Sequence, residues 1–127
     1  MKDIQNKIKI FCKKHQLESP IEHRILDTMS GLWEVAKEIL KMSDYGKKPL
    51  KSKCQVFLTY KEELKSELGD LFFSVITIAN SFDVDLEEAL NMVLKKYERR
   101  LKKGSAGSEN DWLLVINKYY YSIKQTE

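Results

Sequence analysis

Apolar residues recur at three- and four-residue spacing along most of the chain, and strict alternation of apolar and polar residues is scarce, so the pattern predicts helices. A short first helix near residues 2–15 places Ile4, Ile8, Phe11 and Cys12 on one side. A longer one near 20–43 aligns Ile21, Ile25, Met29, Leu32, Ala36 and Ile39. A third near 60–82 carries Leu64, Leu68, Leu71, Phe72, Val75 and Ala79, and a fourth near 86–103 carries Ala89, Leu90, Val93, Tyr97 and Leu101. A last helix is expected near 110–123, with Trp112, Leu113, Ile116 and Tyr120.

Helix starts are marked. Ser19-Pro20-Ile21-Glu22 combines a capping serine, a proline at the first helical position and a glutamate at the third. Thr59-Tyr60-Lys61-Glu62 repeats the signal, and Asp85-Leu86-Glu87-Glu88 repeats it with an aspartate. Residues 44–57, with Gly46, Pro49 and four lysines (Lys47, Lys48, Lys51, Lys53), read as a loop. So does Gly104 to Ser108, which is too short to separate domains. The expectation is one all-α domain over 1–127, a bundle of four to five helices.

Composition narrows the class. The chain has 127 residues, 43% hydrophobic and 32% charged, which suits one globular core and excludes a disordered or collagen-like chain. A net charge of +3 falls short of the field of a dedicated nucleic-acid binder, and no nucleic-acid motif is present. The longest nearly apolar run, Leu71 to Ala79, is far below the ~20 residues of a membrane helix. Cys12 and Cys54 lack metal-type spacing and no signal-like N-terminus appears, so a reduced, cytoplasmic setting is expected.

Candidate chemistry lies in two charged sets. Glu34 and Glu38 are one turn apart on the second helix, while Glu63, Glu67 and Asp70 share a face of the third. Such acids commonly just face water. Glu67 and Asp70, however, flank the stripe of Leu64, Leu68 and Leu71, and Asp70 directly precedes Leu71-Phe72-Phe73. Oxygen-only ligands at that density suit Mg²⁺ or Mn²⁺ rather than zinc. On the fourth helix Lys96, Arg99, Arg100 and Lys103 form a basic stripe. Cations there complement the helix dipole, or they clamp phosphate oxygens. An acidic metal site with a basic stripe is what assisted cleavage of a nucleotide phosphate requires.

Glu63-Leu64-Lys65-Ser66-Glu67-Leu68-Gly69-Asp70-Leu71-Phe72-Phe73, followed by Ala79-Asn80, Asp85-Leu86-Glu87-Glu88-Ala89-Leu90 and Lys96-Tyr97-Glu98-Arg99-Arg100, resembles the MazG-like all-α nucleoside triphosphate pyrophosphohydrolases. The similarity is strongest over residues 20–110. The family carries E-x-x-E on one helix and E-x-x-D on the next. Aligning Val35-Ala36-Lys37-Glu38 without gaps puts Glu34 at the second position and Gly31 where the first glutamate belongs, and Trp33 replaces a small glycine. The resemblance implies a homo-oligomer that hydrolyses a nucleoside or deoxynucleoside triphosphate to monophosphate and pyrophosphate with Mg²⁺. Glu34, Glu67 and Asp70 would be catalytic metal ligands, with Glu38 filling in. Lys37, Lys96, Arg99 and Arg100 are the candidates for substrate phosphate. Gly31 also suits a catalytically weakened relative that keeps the bundle as a nucleotide-binding or interaction module.

Overall fold

A computed structural model describes the backbone of residues 1–47 and 55–104, and the side chains of 1–47 and 60–104. Four helices follow in order: α1 (Lys2–Lys14), α2 (Ile21–Met42), α3 (Gln55–Ser81) and α4 (Leu86–Lys102). No strand occurs among the described residues, and the chain is all-α as expected. The expected fifth helix, the Tyr119-Tyr120-Tyr121 run and Cys54 lie outside the described residues. The helices fall into two compact units, one ending at Leu86 and one starting at Glu87.

In the first unit α3 is the axis, and α1 and α2 pack on it. Gln5 bonds to Asn80, and Phe11 meets Phe73 edge-on at 6.4 Å. Position 31 lies against Leu71, while Lys41 senses the phenol of Tyr60. Rising numbers on α1 and α2 therefore meet falling numbers on α3, and both helices run antiparallel to it. The segment between Lys14 and Ile21 returns along α3 to start α2.

Three helices end on the same device without a glycine. Gln16, Asp44 and Asp83 adopt left-handed φ of 54°, 48° and 54°. Each is followed by an N–H that reaches back to the last helical turn: Leu17 to Cys12, Tyr45 to Leu40 and Val84 to Ala79. This is the Schellman closure, and it satisfies carbonyls the helix cannot. Gly104, at φ 82°, stands at the corresponding place after α4.

Two expected caps are corrected. α2 starts at Ile21 with Pro20 before it and no side-chain cap, so Ser19 does not form the capping box. α3 starts at Gln55, which places Thr59 inside the helix and ends the expected loop at residue 54. α4 does begin directly after Asp85.

The face of α2 that meets α3 also differs from the expected stripe. Arg24, Thr28, Gly31, Val35, Glu38 and Met42 are its buried or half-buried row, spaced as one helical face. Ile25, Met29, Leu32 and Ile39 stay exposed, Met29 at 65%. Gly31 lies within this row, and a Cβ built there would stand 3.4 Å from the Leu71 Cα, at the edge of ordinary contact, so the row packs closely on α3. On α3 the buried set is Ser74, Ile76, Thr77 and Ala79, whereas Leu68 and Phe72 remain about half exposed.

Gln5 closes the first unit. Its Nε2 donates to the Val84 carbonyl at 2.8 Å and to Asn80 Oδ1 at 3.3 Å, and its Oε1 accepts the Leu86 N–H at 3.0 Å. Asn80 Nδ2 returns a bond to the Gln5 carbonyl at 3.0 Å. A buried side chain from α1 thus caps the first residue of α4. Gln5→Leu keeps the volume but strands these groups, and should lower unfolding free energy by about 1–3 kcal/mol in urea titration. An unchanged urea midpoint would show that the network contributes nothing net.

Candidate functional site

The sequence-predicted acids lie along the seam of α2 and α3. Packing of Gly31 on Leu71 sets the register, and each helix rises ~1.5 Å per residue. Glu34 is therefore level with Leu68 and adjacent in level to Glu67; Glu38 is level with Leu64, and Asp70 with Leu32. Antiparallel packing brings the two halves of the acidic pattern to the same stretch of the unit, as a paired E-x-x-E and E-x-x-D arrangement needs.

Their environments are unequal. Glu38 is buried, Glu34 and Glu67 are half-buried, and Glu63 and Asp70 are exposed. Lys37 Nζ donates to Glu34 Oε2 at 2.8 Å, and Lys41 Nζ donates to Glu38 Oε1 at 2.7 Å. The hydrogen bond it donates to Glu38 is the main reason Lys41 titrates above the ordinary lysine value. The contribution of the raised Lys41 value is full at neutral pH and is lost as the pH rises through it. The other oxygen, Glu38 Oε2, is buried without a hydrogen-bond partner. Glu67 and Asp70 form no ion pair among the described residues.

The test for a metal gives a divided answer. An all-carboxylate donor set matches a hard divalent cation, and the orphaned Glu38 oxygen is a buried acceptor awaiting a donor or cation. Yet no three Asp, Glu, His or Cys side chains among the described residues converge on one point. Lys37 and Lys41 pair with Glu34 and Glu38 within α2.

In the second unit Lys96, Arg99 and Arg100 of α4, with Lys103 just past its end, line one shallow cavity of ~230 Å³. Arg100 is half-buried and the other three are exposed.

Residues 27–105 match the family described as the MazG nucleotide pyrophosphohydrolase domain, a span that includes Glu34, Glu38, Glu67, Asp70 and the basic stripe. The chain belongs to this family. It is similar to the nucleoside triphosphate pyrophosphohydrolase/pyrophosphatase MazG of Thermotoga maritima, 32% identical over 85 residues, covering 67% of this chain and 29% of that protein. It is also similar to the uncharacterized protein YpjD of Bacillus subtilis, 35% identical over 71 residues, covering 56% of this chain and 58% of that protein. The chain thus matches less than two thirds of either relative's length. No solved structure matches it.

Sequence reasoning missed Gln5 and Arg24. Gln5 gains its partners only where α1 packs on the end of α3, and Arg24 reaches back to the Leu17 carbonyl of the connecting segment. Gly31, where the family pattern has its first glutamate, packs against Leu71.

Proposed function

We propose that the protein hydrolyses a nucleoside or deoxynucleoside triphosphate to the monophosphate and pyrophosphate, with Mg²⁺ (Mn²⁺ substituting). The observation that carries this reading is the family match spanning α2 to α4, which includes Glu34, Glu67 and Asp70 and the α4 basic stripe. The name of the Thermotoga relative supports the same reaction. Glu34, Glu67 and Asp70 would hold the cation, with Glu38 contributing its orphaned oxygen after Lys41 moves aside. When bound, a divalent cation supplies charge neutralisation at the phosphates and a lowered pKa for water. Lys96, Arg99 and Arg100 would take the substrate phosphates, and their charge would offset the negative charge that develops on pyrophosphate departure.

Oligomerisation belongs to the same reading. Ile25, Met29, Leu32 and Trp33 expose apolar surface on α2, Trp33 at 61% and Leu32 at 59%, and a second copy would cover it. Among the described residues no helix is long and apolar enough to cross a membrane. A cytoplasmic location is part of the proposal.

A second reading is favoured by one observation. Position 31 has no carboxylate and serves close helix packing, which fits a weakened relative that binds nucleotides without turning them over. A panel of nucleoside triphosphates assayed for pyrophosphate with and without Mg²⁺ decides between them. Metal-dependent pyrophosphate release from at least one triphosphate is expected. Nucleotide binding without release would establish the second reading.

A further inference from the structure

The far end of the first unit holds a cavity that the acids do not use. It measures ~260 Å³ and lies among α1 (Lys9, Cys12), the connecting segment (Leu17, Glu18, Ser19), the start of α2 (Arg24) and the end of α3 (Thr77, Asn80, Ser81). Asn80 is ten residues beyond Asp70, about 15 Å along the helix, so this is a separate place.

Arg24 is the unusual group. Its side chain is only 11% exposed, yet it contacts just the neutral Leu17 carbonyl and, at 4.0 Å, the exposed carboxylate of Asp27. A guanidinium has five N–H donors, and a nearly buried one is costly unless anionic oxygens meet it. Lys9 adds a second cation to the lining, and Ser19 adds a hydroxyl without a partner among the described residues; Glu18 at the rim is the opposing charge.

The opposite wall has a different character. Thr77 Oγ1 donates to the Ser74 carbonyl at 2.7 Å, and Ser81 Oγ donates to the Thr77 carbonyl at 2.9 Å. With their protons committed, these hydroxyls offer only lone pairs to the cavity. Apart from the Glu18 carboxylate and the Asn80 amide, which is engaged with Gln5, Arg24, Lys9 and Ser19 supply donors and positive charge while Thr77 and Ser81 supply acceptors. From this polarity we infer that the cavity binds a small phosphate that carries its own proton donor: inorganic phosphate as the hydrogen-bearing anion, or a sugar phosphate with free hydroxyls. Arg24 takes the anionic oxygens and the Thr77 and Ser81 oxygens accept from the donor. Sulfate matches the charge but has no proton to give.

Cys12 lines the cavity and reports on it. In the full chain carrying Cys54→Ser, without added metal, alkylation of Cys12 by iodoacetamide is followed with inorganic phosphate, ribose 5-phosphate or sulfate present. At saturating phosphate or ribose 5-phosphate the rate should fall at least fivefold, with sulfate needing at least tenfold higher concentration. A fall with only one of the two phosphates identifies the source. Arg24→Gln should abolish the protection. Because that change also removes the Leu17 contact, Ser19→Ala is measured beside it and should weaken protection at least threefold, as Lys96→Gln on α4 should not. No protection at 10 mM (about physiological phosphate), equal protection by sulfate, or a loss traced to Lys96→Gln alone would each overturn the assignment.

Discussion

Asp70→Asn should reduce Mg²⁺-dependent pyrophosphate release at least ~100-fold, since even outer-shell changes at metal sites commonly remove 10–100-fold in affinity or activity. The substitution removes one negative charge and keeps the shape. Asp70 is exposed and forms no ion pair among the described residues, so helicity and urea stability should stay within about 0.5 kcal/mol of the parent. Calorimetric titration with Mn²⁺ should show weakened binding in parallel with the lost rate. If metal affinity and rate are both unchanged, Asp70 is an ordinary solvated acid, and the metal site must be rebuilt around Glu34, Glu38 and Glu67.

The second large effect is a gain. Gly31→Glu should raise divalent-metal affinity about tenfold or more, and any triphosphate-cleaving rate with it. The new Cβ meets the Leu71 Cα at 3.4 Å and Leu71 side-chain atoms at 3.6 Å, close to ordinary contact, so the helices need shift by no more than a few tenths of an ångström. From there the carboxylate starts opposite Leu71, beside Asp70 in sequence and one turn before Glu34 on α2. Exchanging glycine in a helix interior also gains up to ~0.5–1 kcal/mol of helix propensity, which offsets mild crowding. Gly31→Ala supplies the control: it meets the same Leu71 contact without a carboxylate. Equal metal affinity in the alanine and glutamate variants, with both folded, would show that position 31 does not face the site.

Much of this protein was legible in its residue pattern. Spacings of three and four residues over Leu64 to Ala79 and Ala89 to Leu101 dictate helices, because only a 3.6-residue turn gathers such positions on one face. The order Glu67-x-x-Asp70 and the E-E-A-L and K-Y-E-R-R runs carried the family, which the match over residues 27–105 shows. Asp85 before α4 and the basic stripe on α4 were equally readable, since both follow from position within a single helix.

What the chain pattern could not decide is which of two faces of α2 would be buried. Hydrophobicity favoured Ile25, Met29 and Leu32, but the row through Thr28, Gly31 and Val35 is the one packed against α3, since the buried face depends on how two helices fit together and not on one helix's apolar content. Left-handed closures at Gln16, Asp44 and Asp83 were hidden for a related reason: no glycine announces them, and their strain is borne by backbone bonds formed only when the helix ends there. Gln5 capping Leu86 across 81 positions and the cavity around Arg24 are tertiary, whereas the lysine pairs on Glu34 and Glu38 are i, i+3 contacts within α2. The sequence by itself determined the helices, the family and the inventory of charges, which are local or additive properties. Only the antiparallel packing of α1 and α2 on α3 decided which faces are buried and which distant polar groups meet, because a side chain's access to water is set by elements far away in the chain.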